Sequence, residues 1–109
     1  MASDLDLLQG TLDLLVLKAL SWQPMHGYAV ARWIGSTTEE DLRIEEGALY
    51  TSLHRMDKRG WIESEWGLSE NNRRAKYYRL TTDGRRQLRT RVATWTRYAR
   101  AVSRVLQTA

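Results

Sequence analysis

The stretch EEGALYTSLHRMDKRG, residues 45–60, decides the fold, because it reads as one helix with an apolar face and a polar face. Leu49, Leu53 and Met56 recur at helical spacing on the apolar side, and Gly60 is a natural stop. The opposite side is polar and rich in hydrogen-bond donors, with these outward and flanking residues: Gly47, Tyr50, Thr51, His54, Arg55 and Lys58. We therefore predict a helix up to Arg59 whose outer face is available to a ligand.

A β-hairpin is predicted directly after this helix. Residues 62–66 and 76–80 have strand character, and the turn-rich stretch 67–72 joins them. Arg73, Arg74 and Lys76 lie at the tip and at the start of the returning strand. Cations on a projecting loop favour contact with phosphate, although they also suit solubility or the blocking of edge pairing.

A long first helix is predicted at the start of the chain. Ser3 can cap it, Asp4 and Asp6 suit its first turn, and the stretch 22–24, which ends in proline, terminates it. Two apolar stripes run along this helix: Leu5, Leu8, Leu12, Leu15 and Ala19 form one, and Leu7, Leu14 and Leu17 form the other. One stripe must pack on its own domain, and the other needs another helix or a second subunit.

A second, shorter helix is predicted to open at His26-Gly27 and to end near Gly35. Its expected buried positions are Tyr28, Val30, Ala31 and Ile34. Residues 36–41 form a polar loop, and the alternation over residues 42–44 predicts at most a short strand before the third helix.

The last helix is long and carries one narrow apolar seam. Thr81 is its expected N-cap, and the apolar residues follow at alternating spacings of four and three: Leu88, Val92, Trp95, Ala99, Val102 and Leu106. About 26 residues make a rod of roughly 39 Å, which overhangs a domain of this size. The seam predicts a homodimer through this helix; packing against the first helix of the same chain is the alternative, and both can share the seam.

The order helix, helix, helix, hairpin is that of a winged helix-turn-helix. The predicted fold class is thus mainly α with a small β-hairpin, with a winged-helix unit over residues 1–80 and a dimerisation helix over 81–109. In this fold the third helix enters the DNA major groove. Thr51 and His54 could reach base edges, whereas Tyr50, Arg55 and Lys58 suit phosphates.

Charge is segregated along the chain. Residues 1–54 hold 3 Lys and Arg against 8 Asp and Glu, and residues 55–109 hold 14 against 5, so the halves carry −5 and +9. Clustered cations release counterions from nucleic acid and so favour its binding. A solvated arginine-rich helix face would account for part of this charge without a partner.

Other function classes find little support in the sequence. The chain has no cysteine, and its two histidines, His26 and His54, have no zinc-site spacing, so we expect no metal and no cofactor. Ser52 and Ser103 have no identifiable base partner and no phosphate-binding glycine loop occurs, so an enzyme is not expected. The apolar runs are too short to span a bilayer and no signal segment is recognisable, which predicts a cytoplasmic protein.

Several motifs together resemble the PadR family of regulators: residues 10–13 (GTLD), 26–28 (HGY), 46–50 (EGALY), 53–55 (LHR), 59–62 (RGWI) and 76–81 (KYYRLT). The resemblance covers almost the whole chain. It implies a dimeric winged-helix repressor of the short type, in which Tyr50 with its neighbours and the wing around Lys76 contact operator DNA and the last helix dimerises. Thr51 is a departure, because many relatives have proline there, and this puts the local backbone and base preference in doubt.

These observations lead to a hypothesis and two alternatives. The hypothesis is a homodimeric repressor on a palindromic promoter site, relieved by a signal such as a small molecule. Some proteins that resemble PadR hold flat aromatic effectors between subunits, which makes Trp95 a candidate effector contact; the other four tryptophans are expected to fill the core or an interface. The alternatives are a winged-helix module for protein interaction and an aromatic-ligand carrier without DNA binding.

Overall fold

The computed structural model describes residues 10–109, and within them it has the predicted order of helices and hairpin with one additional strand. The elements are α1 Thr11–Leu20, β1 Met25–His26, α2 Gly27–Thr37, α3 Glu46–Lys58, β2 Ile62–Leu68, β3 Arg74–Leu80 and α4 Thr82–Leu106. This is a mainly helical winged-helix fold with a long C-terminal helix, so the predicted fold class is confirmed. None of the helices within residues 10–109 is long and apolar enough to cross a membrane.

Helix α1 begins later than predicted. Gly10, which precedes it, has a φ of 83°, a left-handed conformation that interrupts a right-handed helix. The prediction of one continuous helix through this position is therefore wrong. The expected cap Ser3, the acidic residues Asp4 and Asp6 and the apolar residues Leu5, Leu7 and Leu8 lie outside the described residues.

Helix α1 forms the centre of the fold, since it packs against α2, α3, β3 and α4. Its buried residues belong to one core with apolar side chains of the other elements. The core consists of Val16, Leu17, Ala19, Leu20, Met25, Val30, Ile34, Leu49, Leu53, Met56, Ile62, Tyr78 and Leu80. The predicted apolar face of α3 is confirmed, because Leu49, Leu53 and Met56 are all buried.

The segment around His26 forms a strand that the sequence did not predict. Met25 and His26 pair antiparallel with Tyr78 and Tyr77, which makes a three-stranded sheet in the order β1-β3-β2. The Nδ1 atom of His26 also accepts a hydrogen bond of 3.1 Å from the backbone N–H of Ala29, so this residue caps α2. The short strand considered over residues 42–44 does not form.

The hairpin is longer than predicted at its tip. Strand β2 continues to Leu68 and β3 begins at Arg74, with Trp66 opposite Lys76 in the register. The turn is therefore confined to residues 69–73, where the Ser69 backbone N–H donates to the Arg73 carbonyl at 2.8 Å. Arg73 lies in this turn, whereas Arg74 and Lys76 extend from the strand itself.

Helix α4 meets the winged-helix unit at an unusually close contact. The Thr81 hydroxyl caps the helix by accepting from the Gly84 backbone N–H at 3.0 Å, as predicted, and it also donates to the Gly60 carbonyl at 2.6 Å. A Cβ at Gly84 would lie 1.9 Å from the Trp61 carbonyl oxygen. Only glycine permits this approach, and the start of α4 is thereby fixed to the end of α3.

Candidate nucleic-acid interface

The outer face of α3 is exposed along its whole length. Gly47, Thr51, His54 and Lys58 all lie at the surface, as predicted. A Cβ at Gly47 would meet nothing within 4 Å, so the helix backbone can approach a flat or convex ligand closely. Hydroxyl, imidazole and ammonium groups on such a face can donate hydrogen bonds to base edges or phosphates.

A buried carboxylate on α1 fixes the orientation of α3. Asp13 accepts hydrogen bonds of 2.5 Å from the Ser52 hydroxyl and of 2.5 Å from the Arg55 guanidinium. The Asp13 side chain is almost fully buried and that of Arg55 is partly exposed. Arg55, a predicted phosphate contact, is thus already paired within the protein. The role of Asp13 was not predicted from the sequence, because a lone acidic residue in an apolar helix has no recognisable partner until the fold is known.

The wing presents one face of its sheet as a cationic aromatic surface. Side chains alternate along a strand, so the face that buries Ile62 and Leu80 near the core continues outward to Trp66 and Lys76. The Arg74 guanidinium lies 4.5 Å from the Trp66 ring centroid and the Lys76 ammonium 5.9 Å from it. Two cations therefore flank one exposed indole, an arrangement typical of cation–π contacts.

This wing face and α3 together border a single cleft of 810 Å³. Tyr50 of α3 and Lys76 of the wing both line it, and Arg32 of α2 adds a further cation. The Arg32 guanidinium lies 5.7 Å from the Tyr28 ring centroid. The cleft is thus lined by four cations and several aromatic rings: Arg32, Arg73, Arg74, Lys76, Tyr28, Tyr50, Trp66 and Tyr78. Such a lining suits a phosphate backbone.

Close packing holds Tyr50 at the edge of the cleft. A Cβ at Gly27 would lie 2.5 Å from the Tyr50 hydroxyl oxygen, so glycine at the start of α2 leaves room for this ring. Tyr50 remains partly exposed, whereas Tyr78 beneath it is buried. Burial raises the pKa of the Tyr78 phenol, with smaller contributions from Tyr50 and Asp57. Tyr78 therefore stays neutral, and the positive charge of the cleft comes from its basic residues.

The tip of the wing also carries an acidic side chain. The Glu70 carboxylate lies 3.8 Å from His26 Nε2, and the Tyr77 ring meets the His26 ring edge-on at 5.3 Å. His26 therefore connects the wing tip with the first turn of α2. Both His26 and Glu70 line the cleft.

The structure brings together part of the predicted site and adds to it. Tyr50, Arg73, Arg74 and Lys76 line the cleft, and the remaining predicted residues of α3 lie beside it on the helix surface. Tyr28 was predicted to be buried, and this is wrong, because its side chain is 66% exposed. Of the two alternatives predicted for Trp66, the core is excluded, because this side chain is 56% exposed, and an interface remains. The alternation along the strands could have revealed Trp66, since it shares a face with Lys76.

The predicted seam of α4 is divided between the core and the surface. Leu88 packs against the core of its own chain, so in this structure it belongs to the intramolecular part of the seam. From Val92 onward the large seam residues are exposed, and Tyr98 and Val105 extend the apolar surface. The Trp95 ring lies tilted by 38° to that of Tyr98, with ring centroids 6.0 Å apart, and both border an open groove of 520 Å³ with Leu14 of α1.

Comparison with known proteins gives this geometry a family context. Residues 16–90 match the model of the transcriptional regulator PadR-like family. Among curated proteins, an uncharacterized protein X of Lysinibacillus sphaericus is 30% identical over 90 residues, which cover 83% of each chain.

Solved structures with the same fold include several regulators. A PadR family transcriptional regulator from Eggerthella lenta is 35% identical, with a TM-score of 0.75 and coverage of 93% of this chain and 86% of that one. A PadR-like transcriptional regulator from Bacillus cereus is 27% identical, with a TM-score of 0.79 and coverage of 93% and 96%. A transcriptional regulator from Clostridium thermocellum is 28% identical, with a TM-score of 0.80 and coverage of 88% and 90%.

Proposed function

The chain belongs to the PadR-like family of DNA-binding transcriptional regulators, which are not enzymes, and from this premise we propose that it is a homodimeric repressor of a palindromic promoter site. Each subunit places α3 in the major groove and lays its wing along the adjacent backbone. The two copies of α3 occupy successive major grooves about 34 Å apart, and the bound dimer blocks transcription.

One observation carries this proposal: Tyr50 of α3 and the cations of the wing line the same cleft, while the other exposed donors of α3 lie on the surface of the same helix. DNA seated there would meet hydrogen-bond donors of α3 and the positive charge of the wing. The predicted roles follow from these positions. Thr51 and His54 would reach base edges, with Gly47 allowing close approach of the helix, whereas Tyr50, Lys58, Arg73, Arg74 and Lys76 would bind phosphates. Arg55 is still proposed to lie near the phosphates, and its hydrogen bond to Asp13 holds α3 in its orientation.

The homodimer is supported by the exposed apolar surface of α4. Val92, Trp95 and Val102 are each between 38% and 42% exposed, although they follow the seam spacing of a helix pair. A second copy of the same helix would bury them symmetrically. In this arrangement Ala99 and Leu106 complete the interface, and Leu88 links it to the core.

The DNA-binding role is tested with Tyr50→Ala combined with Lys76→Ala. The double variant should lose at least tenfold in affinity for DNA from the region upstream of its gene, and the salt dependence should weaken by about one counterion for the lost lysine. Arg79→Ala is the matched control, because Arg79 lies on the same strand, is exposed and pairs with Glu63 on the other face. Wild-type affinity in a folded double variant would favour the protein-interaction module instead.

The groove beside Trp95 makes a small aromatic effector a second, subordinate proposal. An indole and a phenol 6.0 Å apart on an open groove could stack with a flat ring. If so, a set of planar aromatic probes should quench wild-type fluorescence more than that of Trp95→Phe and should weaken DNA binding. Quenching without any effect on DNA would favour the aromatic-ligand carrier, and no quenching by any probe would remove the effector from the account.

A further inference from the structure

The charge of α4 is entirely positive beyond its first turn. After Asp83 the chain contains seven arginines and neither aspartate nor glutamate, and no lysine. A helix face that is merely solvated commonly mixes both signs, because opposite charges three or four residues apart stabilise a helix and like charges destabilise it. The arginines of α4 repeat at such spacings without compensation.

Five of these arginines form one stripe, which we name the arginine ridge: Arg86, Arg89, Arg97, Arg100 and Arg104. Successive helix residues turn by about 100°, so these positions fall within an arc of about 80°. The side of α4 that faces the core carries Gly84, Leu88 and Arg91, which are buried or half-buried. By the same helical geometry the ridge lies roughly opposite that side and opposite the apolar seam.

The ridge is exposed and largely unpaired. All five side chains lie at the surface. Arg86 has an ion pair with Asp83, but no carboxylate among residues 10–109 lies within 4.0 Å of the cationic nitrogens of the other four. Arg97, Arg100 and Arg104 also line one shallow depression of 560 Å³ on the helix surface. By contrast, Arg91 on the inner side lies 4.9 Å from the Trp61 ring centroid.

We infer that the arginine ridge is a second DNA-binding surface, which holds the phosphate backbone of duplex DNA without reading its sequence. Guanidinium groups suit this role, because they bind phosphate oxygens in pairs and are always charged. Arg104 lies 18 residues after Arg86, so the ridge is about 27 Å long, which corresponds to about eight base pairs of duplex.

The duplex on the ridge is not the segment in the cleft. Helix α1 packs against both α3 and α4, and the ridge points away from α1. A short duplex seated against α3 would therefore lie on a different face of the chain from the ridge. The ridge would hold a second stretch of DNA, so that one dimer joins two duplexes or two distant parts of one molecule. This inference goes beyond specific binding by the cleft and does not require it.

The test measures DNA binding by the ridge in a variant whose cleft lacks the wing cations. Arg73→Ala, Arg74→Ala and Lys76→Ala together remove the wing cations, and the probe is a random-sequence duplex of 20 base pairs at low salt. This protein should still bind, with a logarithmic salt slope of about −3.6 to −4.5, as expected for four or five phosphate contacts. Adding Arg97→Gln, Arg100→Gln and Arg104→Gln should weaken binding at least tenfold, whereas lysine at the same three positions should retain most of it.

The contrary results are equally specific. The inference is overturned if the cleft-disabled protein does not bind the duplex, or if the three glutamines leave its affinity unchanged. It is also overturned if the glutamines change the oligomeric state, since the ridge would then lie between subunits. These results test the ridge and not the cleft. If the proposed role of the cleft is wrong, the wing variant with an intact ridge will bind upstream DNA with unaltered affinity.

Discussion

The winged-helix unit and the distal half of α4, residues 92–106, differ in how they bury apolar side chains. In the winged-helix unit every element contributes to one core, and Val16, Val30 and Met56 are fully inaccessible. In the distal half of α4 no residue is buried, and Val105 and Leu106 are more than 70% exposed. The apolar side chains of the winged-helix unit are thus buried within one chain, whereas those of the distal helix remain exposed.

Because of this difference, we propose different roles for the two regions. A lone helix gains little stability from its backbone, so an exposed helix of this length is stabilised mainly by packing of its apolar face. We propose that a second subunit packs against the apolar face of the distal helix and that DNA binds to the arginine ridge. The joint between the two regions is the close contact of Gly84 with Trp61. In the proposed dimer this joint would determine the orientation of the two winged-helix units.

The largest effect is expected at this joint. Gly84→Ala places a methyl group 1.9 Å from the Trp61 carbonyl oxygen, and backbone must move to accommodate it. The free energy of unfolding should fall by about 3 kcal/mol, at the upper end for overpacking. Chemical denaturation followed by circular dichroism measures this change.

Gly47→Ala is the matched control for the joint, because a Cβ there meets nothing within 4 Å. Alanine in a helix is favoured over glycine, so stability should rise by up to about 1 kcal/mol. Equal destabilisation by the two substitutions would show that the close contact at Gly84 does not hold α4 in place.

The next effect concerns the exposed seam. Val92→Glu with Ala99→Glu should convert dimers to monomers, because four carboxylates would face each other across the helix pair. The dimer dissociation constant should rise at least a hundredfold, or about 2.7 kcal/mol, as measured by light scattering over a concentration series. Thr90→Glu with Thr96→Glu adds the same charge at exposed positions outside the seam and should leave the dimer intact. A dimer that survives the seam substitutions would refute this interface.

The smallest effect is expected at Trp66, which orders two cations in the cleft. Trp66→Ala removes the ring flanked by Arg74 and Lys76, and the cations then lose a preferred position. Affinity for upstream DNA should fall about fivefold, the equivalent of roughly 1 kcal/mol for cation–π contacts. Trp22→Ala is a close control, since Trp22 is 65% exposed and has Lys18 at 5.3 Å, yet does not line the cleft. Equal affinities of the two variants would remove Trp66 from the interface.

The fold could be predicted where the signal is local. The spacing of Leu49, Leu53 and Met56, the stop at Gly60 and the cap at Thr81 are properties of neighbouring residues, and the structure agrees with each. Strand β1 was not predicted, because two residues are too few to show the alternation of apolar and polar side chains that is typical of a strand. Met25 and His26 form a strand only because they pair with β3.

The candidate site was harder to predict, because its parts are distant in sequence. Arg32 and Tyr28 join the cleft only when α2 packs beside the wing, and Asp13 acquires its role only when α3 brings Ser52 against it. The exposed donors of α3 and the wing cations could be identified, since a charged or polar face is visible in the sequence alone.

The most direct measurement is the binding of the intact protein to DNA from the region upstream of its gene and to a scrambled duplex, by fluorescence anisotropy across a salt series. The account predicts tighter binding to the upstream duplex, two chains per site and a steep loss of affinity with salt. Absence of binding to either duplex at low salt, or affinity that does not change with salt, would contradict it.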